Sequence, residues 1–234
     1  KKLGYTVIER QVDEVDLWES YYKGHVEKFH EYLEYQGAEL GMVTRKRKSL
    51  KMAKSISELW ADNLINPETV FNIGNETNQS WLEAYIEDNK LVSKLNKFIE
   101  QVFAFGNGAT VQYTDENGKV INQYIHTKSI YPIRVEHGDV VDCVFASVEA
   151  NDTVFLQVHI KEATGYRIMN YMFDKNGKPL ELDEGIADEF VSEVKLFQLY
   201  NPAIANNIHI GSPLGISIYA NAIDELQSVD VAYD

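Results

Sequence analysis

Six histidines, at positions 25, 30, 126, 137, 159 and 209, are the side chains best equipped to hold a metal or move a proton. His25 and His30 come nearest to a paired ligand spacing, but they lie five residues apart. Helical zinc pairs need i,i+4 with a glutamate between them as base. A five-step separation carries the second ring about 100° past the i+4 position. Both read as surface or rim histidines. His126, His137 and His159 fall on or beside apolar segments with acidic neighbours, yet no acid or nucleophile repeats with them at a diagnostic spacing. A hydrolase would need His126 or His159 to meet a carboxylate and a nucleophile in one pocket. Gly106-Asn107-Gly108 has the look of half a phosphate loop, but such loops run from a strand into a helix N-terminus. Here a helical pattern leads out into a strand, so the glycines read as a helix C-cap. The sequence holds no Gly-x-Ser-x-Gly, His-Glu-x-x-His, Cys-x-x-Cys or Walker pattern. The expectation is a protein with no catalytic residue, no cofactor and no metal.

A second concentration of chemistry is positive charge. Arg45, Lys46, Arg47, Lys48, Lys51 and Lys54 place six of the 22 basic residues within ten positions. One reading is a solvated helix start whose long stems cover apolar surface. The other is a contact, led by Arg45, Lys46, Arg47, Lys48 and Lys51, with an acidic face of a neighbouring protein or with nucleic-acid phosphates. Cations are poorly placed at a helix N-terminus, which favours an external partner.

The chain carrying these residues has 234 positions and 36 acidic against 22 basic side chains, a net charge of −14. Such a length implies one domain, or two, and a core large enough to need no metal or disulfide staple. Hydrophobic residues at 44% and charged ones at 25% are ordinary for a globular protein and exclude general disorder. Cys143 is the only cysteine, so no intrachain disulfide forms. The most apolar windows, such as Phe98 to Phe105, fall far short of the roughly 18 residues a bilayer span needs. Lys1-Lys2-Leu3-Gly4-Tyr5 runs into Glu9, Arg10 and Asp13 before any apolar core, which does not fit a secretory leader. The composition points to a soluble protein of a reducing compartment with no membrane partner. Its acidity argues against general nucleic-acid binding, which relies on phosphate neutralisation by Lys and Arg.

Hydrophobic spacing then places the elements. Val12 to about Tyr35 predicts a helix. Leu50, Ala53, Ile56, Leu59, Trp60 and Leu64 share the stripe of a second, which ends near Asn66-Pro67. Trp81 to Phe103 predicts one long amphipathic helix opened by Ser80 or Asn78. The period then changes to two. Thr110–Thr114 and Lys119–Tyr124 form a hairpin across Asp115-Glu116-Asn117-Gly118. Further strands are expected at Val140–Val148, Val154–Ile160, Tyr166–Phe173 and Glu193–Tyr200, with turns at Asn151-Asp152, Thr164-Gly165 and Lys175–Lys178. A last helix carries Tyr219, Ile223, Leu226, Val229 and Tyr233 on one face. No stop signal follows Leu226, so a longer polypeptide is expected. The fold class is α+β: helices packed on a mainly antiparallel sheet, divided into a helical part over 1–78 and an α+β part over 79–234.

Two stretches, Asn96–Ala109 and Gly215–Leu226, resemble the portal proteins of tailed bacteriophages, in particular the family of siphophages and prophages of Gram-positive hosts. In that family a long helix ends in an alanine-aromatic-glycine turn, as at Ala104, Phe105, Gly106 and Gly108 here. It then enters a β-rich wing with a run like Ile130-Tyr131-Pro132-Ile133. A Gly-x-Ser segment, matching Gly215 and Ser217, opens a helix with an Ile-Asp pair like Ile223-Asp224. Order and spacing agree over most of residues 40–234.

The resemblance implies a homo-oligomeric ring of about twelve subunits, each offering two different surfaces that meet around the circle. It implies further that the ring sits at one capsid vertex of the virion, that phage DNA passes through it during packaging and ejection, and that terminase, capsid or scaffold and head-tail adaptor proteins are its partners. Assembly would take place in the host cytoplasm. On that basis the chain is the wing portion, and the basic run pairs with an acidic face of the next subunit. A head-morphogenesis or head-tail adaptor protein is the alternative, and a hydrolase using His126 or His159 a more remote one.

Overall fold

The computed structural model describes residues 3–37, 41–115, 117–149 and 152–234. Lys1, Lys2, Glu116 and Asn151, which the expectations above include, lie outside them. The chain forms two compact units. One, mostly helical, comprises Gln11–Asn107, Asn201–Ile208 and Gly215–Asp234; the other, mostly β, holds the residues up to Arg10, Gly108–Tyr200 and His209–Leu214. The expected division between residues 78 and 79 coincides with neither boundary.

In the helical unit, α1 (Val12–Lys23) stops at Gly24, whose φ of 73° suits a residue without a Cβ. The helix expected to run on to Tyr35 is therefore broken. A single turn, α2 (Glu27–His30), leads into strand β1 (Glu31–Tyr35), which pairs antiparallel with β2 (Met42–Lys46). Tyr32, Leu33 and Tyr35 satisfy a period of two as readily as helical spacing, and the cross-strand partners decide between them. Helix α3 (Met52–Leu64) buries Ala53, Ser57 and Ala61 and leaves Leu59, Trp60 and Leu64 exposed. The expected stripe is thus rotated, because the small side chains form the face that packs closely. Its end before Asn66-Pro67 is as expected.

The long helix expected over 81–103 is two helices, α4 (Glu76–Asn89) and α5 (Leu91–Phe105). Lys90 separates them in a left-handed conformation with φ 49°. The α4 cap is Asn75, whose side chain accepts the Asn78 amide at 3.1 Å, in place of Ser80 or Asn78. Helix α6 (Ile223–Tyr233) buries Leu226 and Asp230, while Val229 and Tyr233 face outward. Val15, Trp18, Tyr21, Ala53, Ala104, Phe105, Ile216, Tyr219 and Leu226 make the unit's core.

The β unit contains β3 (Gly108–Thr114), β4 (Val120–His126), β5 (Ile130–Glu136), β6 (Asp139–Val148), β7 (Val154–Glu162), β8 (Gly165–Phe173), β9 (Pro179–Leu180), β10 (Glu189–Ser192) and β11 (Phe197–Tyr200). Every pairing among them is antiparallel, in a sheet ordered β10-β8-β7-β6-β5 with β9 beside β8, and a three-stranded sheet β11-β3-β4. The expected 110–124 hairpin forms, with Thr114 opposite Val120. The strand expected over 193–200 is shorter, β11, and β5, β9 and β10 were not anticipated as strands. Asp115 and Asp174 open two turns of the same design: each Oδ1 accepts amides two and four residues ahead at 2.8–2.9 Å. Alternation then sorts the core. Cys143 and Phe145 point with Ala109, Val111 and Phe197 into one layer. Val144, Val158 and Met169 point the other way, under Leu3 and Tyr5.

Candidate functional site

Of the motif residues, Phe105, Gly106 and Gly215 meet at the end of α5. Phe105 is buried in the helical core, and Gly106 takes φ 78° to end the helix. A Cβ at Gly106 would lie 2.7 Å from the Gly215 carbonyl oxygen and 2.8 Å from the Ile216 Cα. One at Gly215 would lie 2.6 Å from the Gly106 carbonyl oxygen. Two backbone segments more than a hundred residues apart therefore touch where neither has a side chain. Asn107 locks them together: its Oδ1 accepts the Gly215 amide at 2.8 Å and its Nδ2 donates to the Gly215 carbonyl at 3.1 Å. The Ile218 amide adds a bond to the Phe103 carbonyl at 3.0 Å.

Ser217 is buried, and its hydroxyl accepts the Tyr219 amide at 3.3 Å. Tyr219 is buried in turn and donates its phenol proton to the Trp18 carbonyl at 2.8 Å. Burial holds that phenol well above its ordinary pKa, so it remains a donor. Ile223 begins α6 and packs against the same core. Asp224 sits in the first turn of α6, where a carboxylate suits the helix dipole. Gly108 and Pro132 belong to the β unit. Gly108 starts β3 opposite His126, and buried Pro132 lies in β5 opposite Cys143, its carbonyl accepting the Ile8 amide at 2.8 Å. Tyr219, expected on the face of the last helix, instead precedes α6, and Asn107 carries a role that helical or strand spacing does not show. An Asn between two glycines at a helix-to-strand junction is the signal that marks Asn107.

Of the basic run, only Lys51, the N-cap of α3, and Lys54, in its first turn, stand at a helix start. Arg45 and Lys46 end β2, and Arg47 to Lys51 connect it to α3. Cations misplaced at a helix N-terminus are therefore limited to Lys51 and Lys54, and the four residues Arg45 to Lys48 lie ahead of the helix. Arg45 Nε pairs with Glu34 at 2.9 Å and Lys46 Nζ lies 3.4 Å from Glu31, both across the hairpin. The Arg47 guanidinium lies over the Phe29 and Tyr32 rings at 4.5 and 5.0 Å and donates to the Phe29 carbonyl. It acts as a local staple. The Lys48 amide donates to Asp234, and Lys51 precedes α3 with φ 52°, its stem against Gly24. Nearby, Lys54 and Tyr22 both bond Glu100 Oε1, at 2.8 and 2.6 Å. Burial and that bond push the Tyr22 phenol up to about 12.

His25 and His30 do stack, with ring centroids 5.9 Å apart, although Gly24 and α2 take them off a common helix. Both ring nitrogens of His30, which is buried and not a rim histidine, have partners within the chain. Its Nδ1 lies 2.8 Å from the Val26 amide and 3.2 Å from the Val26 carbonyl, and its Nε2 lies 3.1 Å from Asp230 Oδ2. His126 accepts the Lys128 amide, and His137 occupies the left-handed turn between β5 and β6. His159 is buried between the Phe145 and Phe197 rings and bonds the Gln157 amide oxygen at 2.9 Å. Burial depresses its pKa to about 4. Its bonded neighbour is an amide and not a carboxylate, so the relay a hydrolase would need is not assembled there. Among the described residues no group of three His, Cys, Asp or Glu could hold a metal ion, and no helix is long and apolar enough to cross a membrane.

No curated protein matches the chain. Residues 6–234 match the family described as phage portal protein, SPP1 Gp6-like. The match takes in the paired glycines, the β-rich segment between them and α6. The chain belongs to the phage portal proteins of the SPP1 Gp6-like kind, structural proteins of the virion that form oligomeric rings with the capsid for DNA packaging.

Proposed function

We propose that the chain is the wing portion of a portal subunit at a single capsid vertex. Through that ring DNA enters under a terminase and leaves on ejection, and to it the tail connects. The observation that carries this reading is a family match over residues 6–234. On this reading residues 79–234 form the wing-like part, terminase, capsid or scaffold and adaptor proteins are the partners, and assembly takes place in the host cytoplasm. The role is structural and involves no chemistry of the chain's own. The net charge of −14 supports it, because a channel must repel phosphates enough for DNA to slide. The motif residues serve as scaffold: Gly106 and Gly215 hold the end of α5 against the segment that leads into α6.

Immunogold electron microscopy of assembled phage heads, using an antibody to this chain, tests the placement. The expected result is label at one vertex per head, the one joined to the tail. Label spread over all capsid faces, or confined to the tail, overturns it.

A further inference from the structure

The two-stranded β1–β2 ribbon carries a bare apolar face. In the antiparallel register Leu33 lies opposite Thr44, Tyr35 opposite Met42 and Glu31 opposite Lys46, so these six share one side, with the Glu31–Lys46 pair at one end. Leu33, Tyr35 and Met42 are 64%, 66% and 58% exposed. The opposite side is occupied: Tyr32 lies under Arg47, and Glu34 pairs with Arg45. A two-stranded ribbon is marginal in water unless something packs on it. Glu34 and Glu31 of β1 pair with Arg45 and Lys46, so the ribbon's excess positive charge lies on its flank, at Arg47, Lys48 and Lys51.

A second surface of the same chain has the complementary character. On α3, Leu59 and Trp60 are 62% and 55% exposed, and Leu64 lies exposed at its end. The acids Glu58, Asp62 and Glu68 stand exposed among them. The one cation of residues 52–70, Lys54, is engaged by Glu58 and Glu100. One face is therefore apolar with a basic rim and the other apolar with an acidic rim. Two different, complementary patches on one chain are what a heterologous, ring-closing contact requires.

We propose that the β1–β2 ribbon of one subunit seats its Leu33, Tyr35 and Met42 face on the Leu59 and Trp60 flank of α3 in the next copy. Lys48 then faces Asp62. The inference rests on the ring reading and names the surfaces that build the ring. It also replaces the expectation that Arg45 and Arg47 lead the contact, because both are held within their own chain.

The test is a disulfide assay on the protein as its gene encodes it. A Tyr35→Cys, Trp60→Cys double variant, oxidised after assembly, is expected to give a ladder of covalent oligomers. Each single variant is expected to give monomers. Cys143 is buried and does not compete. In parallel, Leu33→Asp with Tyr35→Asp is expected to raise the concentration needed for assembly at least about tenfold. Both positions are exposed, so circular dichroism should stay unchanged. An equimolar mixture of that variant with Leu59→Asp, Trp60→Asp is expected to form dimers, since each partner keeps one intact face.

Rings that form normally but give no cross-link overturn the seating and leave the ring itself standing. So does linkage only within a subunit, which would assign the ribbon face to another part of the same chain. Normal assembly of the Leu33, Tyr35 variant with loss of DNA retention would overturn it in favour of a nucleic-acid contact. Unaltered protein that forms no ring at all contradicts both the seating and the ring reading.

Discussion

A methyl group at position 106 has nowhere to go. It would meet the Gly215 carbonyl and the Ile216 backbone, and it would hold an L residue at φ 78°. Gly106→Ala is expected to lower unfolding stability by about 2–4 kcal/mol, read by urea titration, as a strained backbone together with a main-chain clash implies. His159 gives a second prediction at this scale. Its folded pKa of about 4 lies below the ordinary 6.5. The unfolded chain therefore takes up a proton that the folded chain refuses as pH falls from about 6.5 to 4. Stability from this group is complete above 6.5 and is lost across that window, by about 3 kcal/mol. His159→Gln should flatten that part of the pH profile relative to the unaltered protein, and an unchanged slope would contradict the assignment. Some of this was legible in the sequence. Gly106 read correctly as a cap because a helical period ends there and a strand period begins. Its contact with Gly215 was not legible, since a pairing across more than a hundred residues leaves no local mark.

Elements show the same division between local and distant causes. The 110–124 hairpin and the strands β6, β7 and β8 were readable because apolar residues alternate between strong turn formers. The β1–β2 ribbon was not, because Tyr32, Leu33 and Tyr35 suit either period and Gly24 is a single residue. Lys90 breaks α4 from α5 with no glycine or proline to announce it. The rotated face of α3 follows from Ala53, Ser57 and Ala61, small residues that a count of large apolar side chains passes over. Helix α6 is tied down by polar groups. Asp230, buried, accepts the Leu50 amide at 2.8 Å and the His30 imidazole at 3.1 Å. Asp230→Ala leaves both donors unsatisfied and is expected to cost about 2–4 kcal/mol. Hydrogen exchange should quicken at Ile223–Tyr233 and at Leu50 while β6 and β7 stay protected. Uniform quickening, or none, would contradict the role given to this tie.

At the scale of the whole molecule, net charge sets how the protein meets DNA. A chain of net charge −14 repels the backbone of DNA, and salt weakens that repulsion. Its affinity for a short duplex should therefore stay weak, without the steep loss on adding salt that marks a protein neutralising many phosphates. Fluorescence anisotropy across salt concentrations checks this, and tight binding that salt abolishes would contradict it. The family was legible in the sequence through the order of its motifs, while the surfaces that could join subunits emerged only once exposed Leu33, Tyr35, Leu59 and Trp60 were placed. The most direct test of the central claim is the mass and symmetry of the protein, as its gene encodes it, by light scattering and electron microscopy. A closed ring of one rotational order, near twelve copies, is the expected result. A monomer or dimer that persists across salts and concentrations would contradict it.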